Sequence, residues 1–202
     1  MATFEFNEEQ HVYKINGIPV PSVTQVLGEV GIIDDRFYTE EGKIRGKAIH
    51  MATQLFDEGD LDSESVHPSI GGYLKGYIRF IAETGFMSDL IEKLVYSETW
   101  MVAGTLDRRG RFPNRPSEKV IIDIKSGGVE PWAALQMAGY ELMLGERHTR
   151  QALQLFEDGR YKLHKPYRNP NDKNIFLSAL AITHWKRNQK GVIYGSSNEV
   201  AA

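Results

Sequence analysis

The six residues Val120-Ile-Ile-Asp-Ile-Lys125 limit the fold more than any other stretch of the chain. Four β-branched apolar side chains in six positions fit a pleated strand. Side chains on a strand alternate between faces, so Asp123 and Lys125 project together to one side while Ile122 and Ile124 project to the other. The apolar side needs a cover, and the other side presents a carboxylate and an ammonium together. An edge strand with a solvated polar face meets the same description, so the rest of the chain has to separate the two readings.

Helical patterns come first. Val12–Ile15 and Ile18–Val20 flank Asn16-Gly17, a pair suited to the positive φ angles of a tight turn, which predicts a hairpin. Ser22 and Gln25 have capping-box spacing ahead of Val26 and Leu27. A longer helix is expected over 39–56, with Ile44, Ala48, Met51, Ala52 and Leu55 on one stripe and Glu40 and Glu41 at its positive end. A third starts at Pro68 and turns Ile70, Tyr73, Leu74, Tyr77, Ile78 and Ile81 inward, against the poor propensity of Gly71, Gly72 and Gly76.

The character then changes. Strands are expected over 93–98, 100–109 and 119–125, with a loop at 112–117. Pro131 opens a helix that runs to about Leu144 and ends at Gly145. Segments 152–156 and 161–163 pair across a turn at Asp158-Gly159. A last helix over 170–189 is expected to bury Phe176, Leu177, Leu180 and Trp185, with Gly191 closing it and a loose tail from Tyr194. This order of elements predicts an α/β (α+β) fold: a central mixed sheet flanked by helices. At 202 residues the chain suits one domain, divided here into an N-terminal hairpin and helix (1–38), a core (39–165) and a C-terminal helix and tail (166–202).

Composition removes several chemistries. No cysteine is present, which excludes disulfides, thiolate metal sites, cysteine nucleophiles and cysteine-ligated iron–sulfur clusters. Any metal must be held by carboxylates, histidine, carbonyls and water. No run approaches the ~20 apolar residues that span a bilayer, and the first residues lack a basic and apolar leader, so the expected location is the cytoplasm and no membrane partner is expected. The net charge of −3 gives no global attraction to nucleic acid. Basic patches at Arg108, Arg109, Arg111 and Arg115 and at Lys186, Arg187 and Lys190 are local candidates, or simply solvated faces.

Acidic-x-Lys alone is a weak pattern, since Glu41-Gly42-Lys43 also matches it; a helix there would set the two charges about 200° apart. Three features give Asp123 and Lys125 company. Asp107, in Gly104-Thr-Leu-Asp107, falls on the preceding strand and can lie beside Asp123 if the two strands are antiparallel neighbours. Two adjacent carboxylates repel unless a cation lies between them, and a hard divalent ion fits that need; by itself Asp107 equally reads as a turn residue before Arg108-Arg109-Gly110. Gln136 and Tyr140 share one helical face near the end of the Asp123 strand and could orient a phosphate or water, or merely pack with satisfied polar tips. His50 could complete a divalent site, more comfortably for manganese than magnesium, although a lone helical histidine is usually structural.

Taken together and in order, Arg45-Gly-Lys-Ala-Ile-His50, Gly104-Thr-Leu-Asp107, Ile121-Ile-Asp-Ile-Lys-Ser-Gly127 and Leu135-Gln-Met-Ala-Gly-Tyr140 resemble the PD-(D/E)XK nuclease superfamily, in its RecB-like and phage exonuclease branch. The likeness covers about residues 45 to 140; the opening His11-Val-Tyr and Val20-Pro-Ser-Val-Thr-Gln-Val-Leu27 adds a softer similarity to small phage and prophage members. No proline precedes Asp107, a departure from the family's name-giving pattern.

The resemblance implies a restriction-endonuclease-like αβββαβ core and a divalent-metal-dependent DNA exonuclease of phage or prophage recombination or replication. By the same resemblance, His50, Asp107, Asp123 and the carbonyl of Ile124 would ligate Mg²⁺, or Mn²⁺ in its place. Lys125 would position or activate water, and Gln136 and Tyr140 would support the site. Glu98 is a weaker candidate on the preceding strand. DNA is the implied partner, with a homo-oligomer and a single-strand-annealing or recombination protein as further partners. The alternatives are a DNA-binding protein that keeps the nuclease fold without cutting, and a metal enzyme acting on a small molecule.

Overall fold

The structure is a computed structural model that describes residues 3–34 and 39–189. Its elements in chain order are β1 (Phe4–Asn7), β2 (Val12–Ile15), β3 (Ile18–Val20), α1 (Val23–Glu29), α2 (Glu40–Glu58), a 3₁₀ turn (Ser63–Ser65), α3 (Pro68–Thr84), β4 (Met87–Ser97), β5 (Val102–Arg111), β6 (Val120–Lys125), α4 (Ala133–Leu144), β7 (Thr149–Leu155), β8 (Tyr161–Leu163) and α5 (Asp172–Gln189).

Two sheets form. Strands β1–β2–β3 make an antiparallel meander, and the main sheet runs β4–β5–β6–β7–β8 with one parallel pair, β6 with β7. This is the mixed sheet that the order of elements predicts. Helices α1, α4 and α5 cover one face around Val23, Leu106, Ile121, Met137 and Phe176. On the other face α2 and α3 pack around Ile49, Tyr77, Phe80, Ile122 and Ile124. Central β6 is therefore buried on both sides, which removes the edge-strand reading.

Local signals were accurate where the cause was local. The Asn16-Gly17 turn has φ of 51° and 76°, and Ser22 and Gln25 make both hydrogen bonds of a capping box. Gly145 adopts the left-handed conformation after α4. The glycines of α3 have a packing purpose: a Cβ on Gly72 would meet the Glu157 carbonyl oxygen at 1.6 Å, and one on Gly76 the Arg160 carbonyl oxygen at 2.7 Å. The helix thus lies directly on the β7–β8 turn, and its weak propensity is offset by that approach.

Several expectations fail. Strand β1 was not foreseen, and β4 starts six residues before the expected 93. On α2 the buried residues are Ile49, Ala52 and Thr53, whereas Ile44 and Met51 are 67% and 62% exposed. The helix is turned so that Thr53 and Asp57 meet the buried Arg108, and this polar requirement outweighs the apolar stripe. On α5, Phe176 and Leu180 are buried as expected, but Leu177 is only partly buried and Trp185 is 63% exposed, because α4 and α1 cover only one side of that helix. The expected closure at Gly191 and the tail from Tyr194 lie outside the described residues.

The first basic patch is largely accounted for within the fold. Arg108 is fully buried, Arg109 pairs with Asp89 and Glu146, and Arg115 pairs with Glu118 and lies over the Phe112 ring. In the second, Lys186 and Arg187 are tied to Glu29; Lys190 is outside the described residues.

Candidate active site

The polar residues singled out from the sequence converge at the finishing end of β6. Antiparallel pairing of β5 with β6 runs Gly110↔Val120, Arg109↔Ile121 and Arg108↔Ile122, and there it stops. One step further the strands part, and the Asp107 side chain enters the gap: its Oδ2 accepts the Ile124 N–H at 2.7 Å. A carboxylate has replaced a ladder carbonyl. The charge-assisted bond holds Asp107 beside β6, and the free oxygen Oδ1 turns to α2, 3.7 Å from His50 Nδ1.

A second chain of contacts starts at Asp123, of which 1% is exposed. Lys125 Nζ lies 2.9 Å from Asp123 Oδ2 and directs its hydrogen bond to Oδ1 at 3.1 Å, so Oδ2 stays buried without accepting a hydrogen bond. The same ammonium donates to Gln136 Oε1 at 3.1 Å, and Gln136 Nε2 donates to the Tyr140 hydroxyl at 3.2 Å. The Trp132 ring lies 5.0 Å from Nζ and adds a cation–π contact. Two residues apart on β6, Asp123 and Lys125 share the face that alternation gives them, and α4 presents its Gln136–Tyr140 face to them from its first turns.

Gly104 makes room for this. A Cβ there would come within 2.9 Å of Tyr140 Cε1 and 3.4 Å of Val23 Cγ2, so the glycine three residues before Asp107 lets α4 seat Tyr140 against β5.

Glu92 completes the arrangement, and the sequence reading missed it. It sits within β4 with a φ of 40°, between the pairs Ile91↔Arg108 and Lys93↔Leu106, which places it across from Asp107. A non-glycine residue at positive φ inside a strand is strained and persists where its surroundings require it. Here Glu92 Oε1 accepts from Arg108 Nη1 at 2.8 Å and lies 3.1 Å from His50 Nδ1. His50, Glu92 and Asp107 offer one ligand atom each within 4.8 Å of one another. Glu98, the candidate considered on sequence, lies in the exposed turn after β4. No local spacing marks Glu92; only the β4–β5 register reveals it.

Arg108 anchors Glu92 from below. Its guanidinium also reaches Asp57 Oδ2 at 2.6 Å, Thr53 Oγ1 at 3.1 Å, the Tyr77 hydroxyl at 3.2 Å and the Asp107 carbonyl at 2.7 Å. A fully buried guanidinium is tolerated because its donors are satisfied and two carboxylates balance its charge.

The electrostatics mark the cluster as unfinished. Burial pushes the Asp107 carboxyl up, with His50 opposing and Glu92 adding to the shift. Burial likewise pushes Asp123 up to about 6, with Lys125 opposing and Asp107 adding to it. For His50, burial pulls the imidazole down, but Asp107 and Glu92 outweigh it and set the value at about 9. Tyr140 is raised by burial first and by Asp107 next, so its phenol is a neutral hydrogen-bonding group. Carboxylates that burial and mutual repulsion make reluctant to ionise are satisfied by a cation with oxygen and imidazole ligands. The donor set of His50, Glu92 and Asp107 fits a hard divalent ion, and Asp123 Oδ2, which accepts no hydrogen bond, is ion-paired with Lys125 at 2.9 Å beside it.

No family model matches the sequence, and no curated protein matches it. Among solved structures, the alkaline exonuclease LHK-Exo from Laribacter hongkongensis is similar at 15% identity and a TM-score of 0.40, over 85% of this chain and 93% of that one. The same enzyme in complex with dAMP gives a TM-score of 0.42. An exonuclease candidate from Eubacterium rectale gives 11% identity and 0.48, over 90% and 85% of the two chains. With every one of these TM-scores below 0.5, what this site can do is read from its own residues.

Proposed function

We propose that this protein is a divalent-metal-dependent DNA exonuclease of the PD-(D/E)XK type, acting as one domain. The observation that carries the reading is the convergence of Asp107, Asp123 and Lys125 at one end of β6: Asp107 Oδ2 accepts the Ile124 N–H at 2.7 Å between Asp123 and Lys125, and Lys125 Nζ bonds Asp123 Oδ1 at 3.1 Å. In this reading His50, Asp107 and Asp123 hold the ion, joined by Glu92 and by the carbonyl of Ile124. Such an ion, when bound, supplies charge against the phosphate and lowers the pKa of water. Mg²⁺ fits the oxygen donors and Mn²⁺ the added imidazole.

The chain's own residues do the rest. Lys125 is oriented by Asp123 and Gln136, so its ammonium is fixed rather than swinging free. From there it orients a water for attack on phosphorus and stabilises the charge that develops on the phosphoryl oxygens. As the new P–O bond forms, the bond to the leaving ribose oxygen breaks and that oxygen takes a proton. Gln136 holds Lys125 in place, and the neutral Tyr140 hydroxyl accepts from Gln136 Nε2 and so steadies that amide. Burial under α4 keeps the reacting region poor in water, where these charges act more strongly.

DNA as substrate, exonucleolytic rather than endonucleolytic cleavage, and a role in phage recombination or replication rest on the sequence resemblance, as do a homo-oligomer and a recombination partner protein. The test is digestion of end-labelled single- and double-stranded DNA with and without Mg²⁺ by the wild-type protein, Asp123→Ala and Lys125→Ala. Each substitution is expected to lower the rate by about 10²-fold or more. Undiminished, metal-independent cleavage in both variants would end the proposal.

A further inference from the structure

At the starting end of β6, away from the acidic cluster, a cleft of about 1010 Å³ opens between the end of α4, the start of β7, the segment after β8 and the first turn of α5. Lys119, Arg147, His148, Arg150, Arg168 and Lys173 are among its lining residues, together with Glu118, Glu141 and Glu146. The acidic members are all engaged. Glu118 accepts from the Thr149 hydroxyl and pairs with Arg115 at 2.9 Å. Glu141 accepts the His148 N–H at 2.6 Å and lies 3.6 Å from Arg150 Nε. Glu146 takes Lys119 at 2.5 Å and Arg109 at 3.2 Å. Arg150 is committed to the Ala134 carbonyl and Asp172.

Arg147, Arg168 and Lys173 differ from these. All three are exposed and have no ion-pair or hydrogen-bond partner among the described residues. Three cations therefore face one cleft whose carboxylates are already neutralised, in a chain whose net charge is −3. They come from three separate segments around the rim, an arrangement suited to successive charges along a polymer rather than to a single small anion. The start of α5, an 18-residue helix, borders the same cleft and adds its positive end.

The cleft also lies within reach of the acidic cluster. Tyr167 lines it, and its phenol is raised by burial first and then by Asp123, with Lys125 opposing. The six steps from Lys119, just before β6, to Lys125 at its end span roughly 20 Å at about 3.3 Å per residue. Duplex DNA covers that length in about six base pairs.

We propose that Arg147, Arg168 and Lys173 form a second DNA-contact site that holds backbone phosphates about six base pairs from the bond being cut. This rests on the nuclease reading and adds to it that long substrates are gripped at both ends of β6. A protein that repels DNA overall needs such a local positive surface, because phosphate contacts supply sequence-independent affinity.

The experiment compares wild type with Arg147→Gln/Arg168→Gln/Lys173→Gln. A control, Lys14→Gln/Lys75→Gln/Lys162→Gln, makes the same charge change away from the cleft. Fluorescence anisotropy with a duplex of about 30 base pairs, in chelator and across a salt series, should show the cleft variant at least about tenfold weaker at low salt, with a slope of log affinity against log salt shallower by roughly 2 to 3. Hydrolysis of the small diester bis-p-nitrophenyl phosphate with Mn²⁺, and the melting temperature, should match wild type. Unchanged affinity and slope in the cleft variant, or an equal loss in the control, would overturn the second site while leaving wild-type cleavage intact. A wild-type protein that neither cuts nor binds DNA is a different pattern, and it would sink the nuclease reading and this site together.

Discussion

Arg108 Nη1 stands 2.8 Å from Glu92 Oε1, the same oxygen that lies 3.1 Å from His50 Nδ1. A buried structural cation on β5 thereby fixes a candidate ligand on the neighbouring strand β4. Replacing Arg108 with Leu leaves Asp57 and Glu92 buried without their partner and is expected to cost about 3–5 kcal/mol. Arg108→Lys keeps the charge but loses most of the donors and should fall between. Urea unfolding of the three proteins measures the order; a stable leucine variant would show that the network is dispensable.

Glu92→Gln tests the residue that the sequence did not reveal. Wild-type protein should gain thermal stability with added Mn²⁺ or Mg²⁺, by about 2.7 kcal/mol at a hundredfold excess over the dissociation constant. The Gln variant should need roughly tenfold more ion for the same gain. The readout is the ion dependence of the melting temperature, not the baseline, since Glu92 also partners Arg108. Superimposable ion titrations would remove Glu92 from the ligand set.

Gly104→Ala places a Cβ against the Tyr140 ring, which is held by Gln136. Overpacking of this kind should cost about 1–3 kcal/mol, and the displaced ring should lower the proposed nuclease activity through Gln136 and Lys125. Made together with Tyr140→Ala, the glycine change should cost less than it does alone, because the two changes share one contact. Strictly additive stabilities would place the ring and the glycine in independent surroundings.

His148 gives a pH dependence. Its side chain is fully buried, and burial pulls its pKa below the ordinary 6.5, against the raising effect of Glu146. The folded protein therefore binds this proton less readily than the unfolded chain. The associated stability is present above pH 6.5 and is lost as the pH falls from there through the lowered folded value. His148→Gln should flatten that part of the profile, seen as a smaller drop in unfolding midpoint between neutral and mildly acidic pH. An unchanged slope would assign it to other groups.

Much of the fold could be read along the chain. The Asn16-Gly17 turn, the capping box at Ser22, the Gly145 cap and the strand character of β6 depend on residues within a few positions of each other, and each formed as expected. The candidate residues His50, Asp107, Asp123, Lys125, Gln136 and Tyr140 could also be singled out, and alternation on β6 and four-residue spacing on α4 fix the shared faces of the last four. Glu92 was not, since nothing near Ile91 or Lys93 distinguishes it from a solvated strand residue. The arginines after Asp107 misled for the same reason: as a run they look like surface, and only packing shows Arg108 to be interior.

Local chain chemistry thus determined the elements, their ends and the shared face of Asp123 and Lys125. Tertiary structure decided which charges go inside and what they meet. Burying a charge is unfavourable until partners compensate it, and for Arg108 those partners come from α2, α3 and β4, 16 to 55 residues away in sequence. Likewise the parting of β5 from β6 at Asp107, and the side-chain bond to Ile124 that replaces their ladder, belong to the assembled sheet, because strand pairing is settled between segments and not within them.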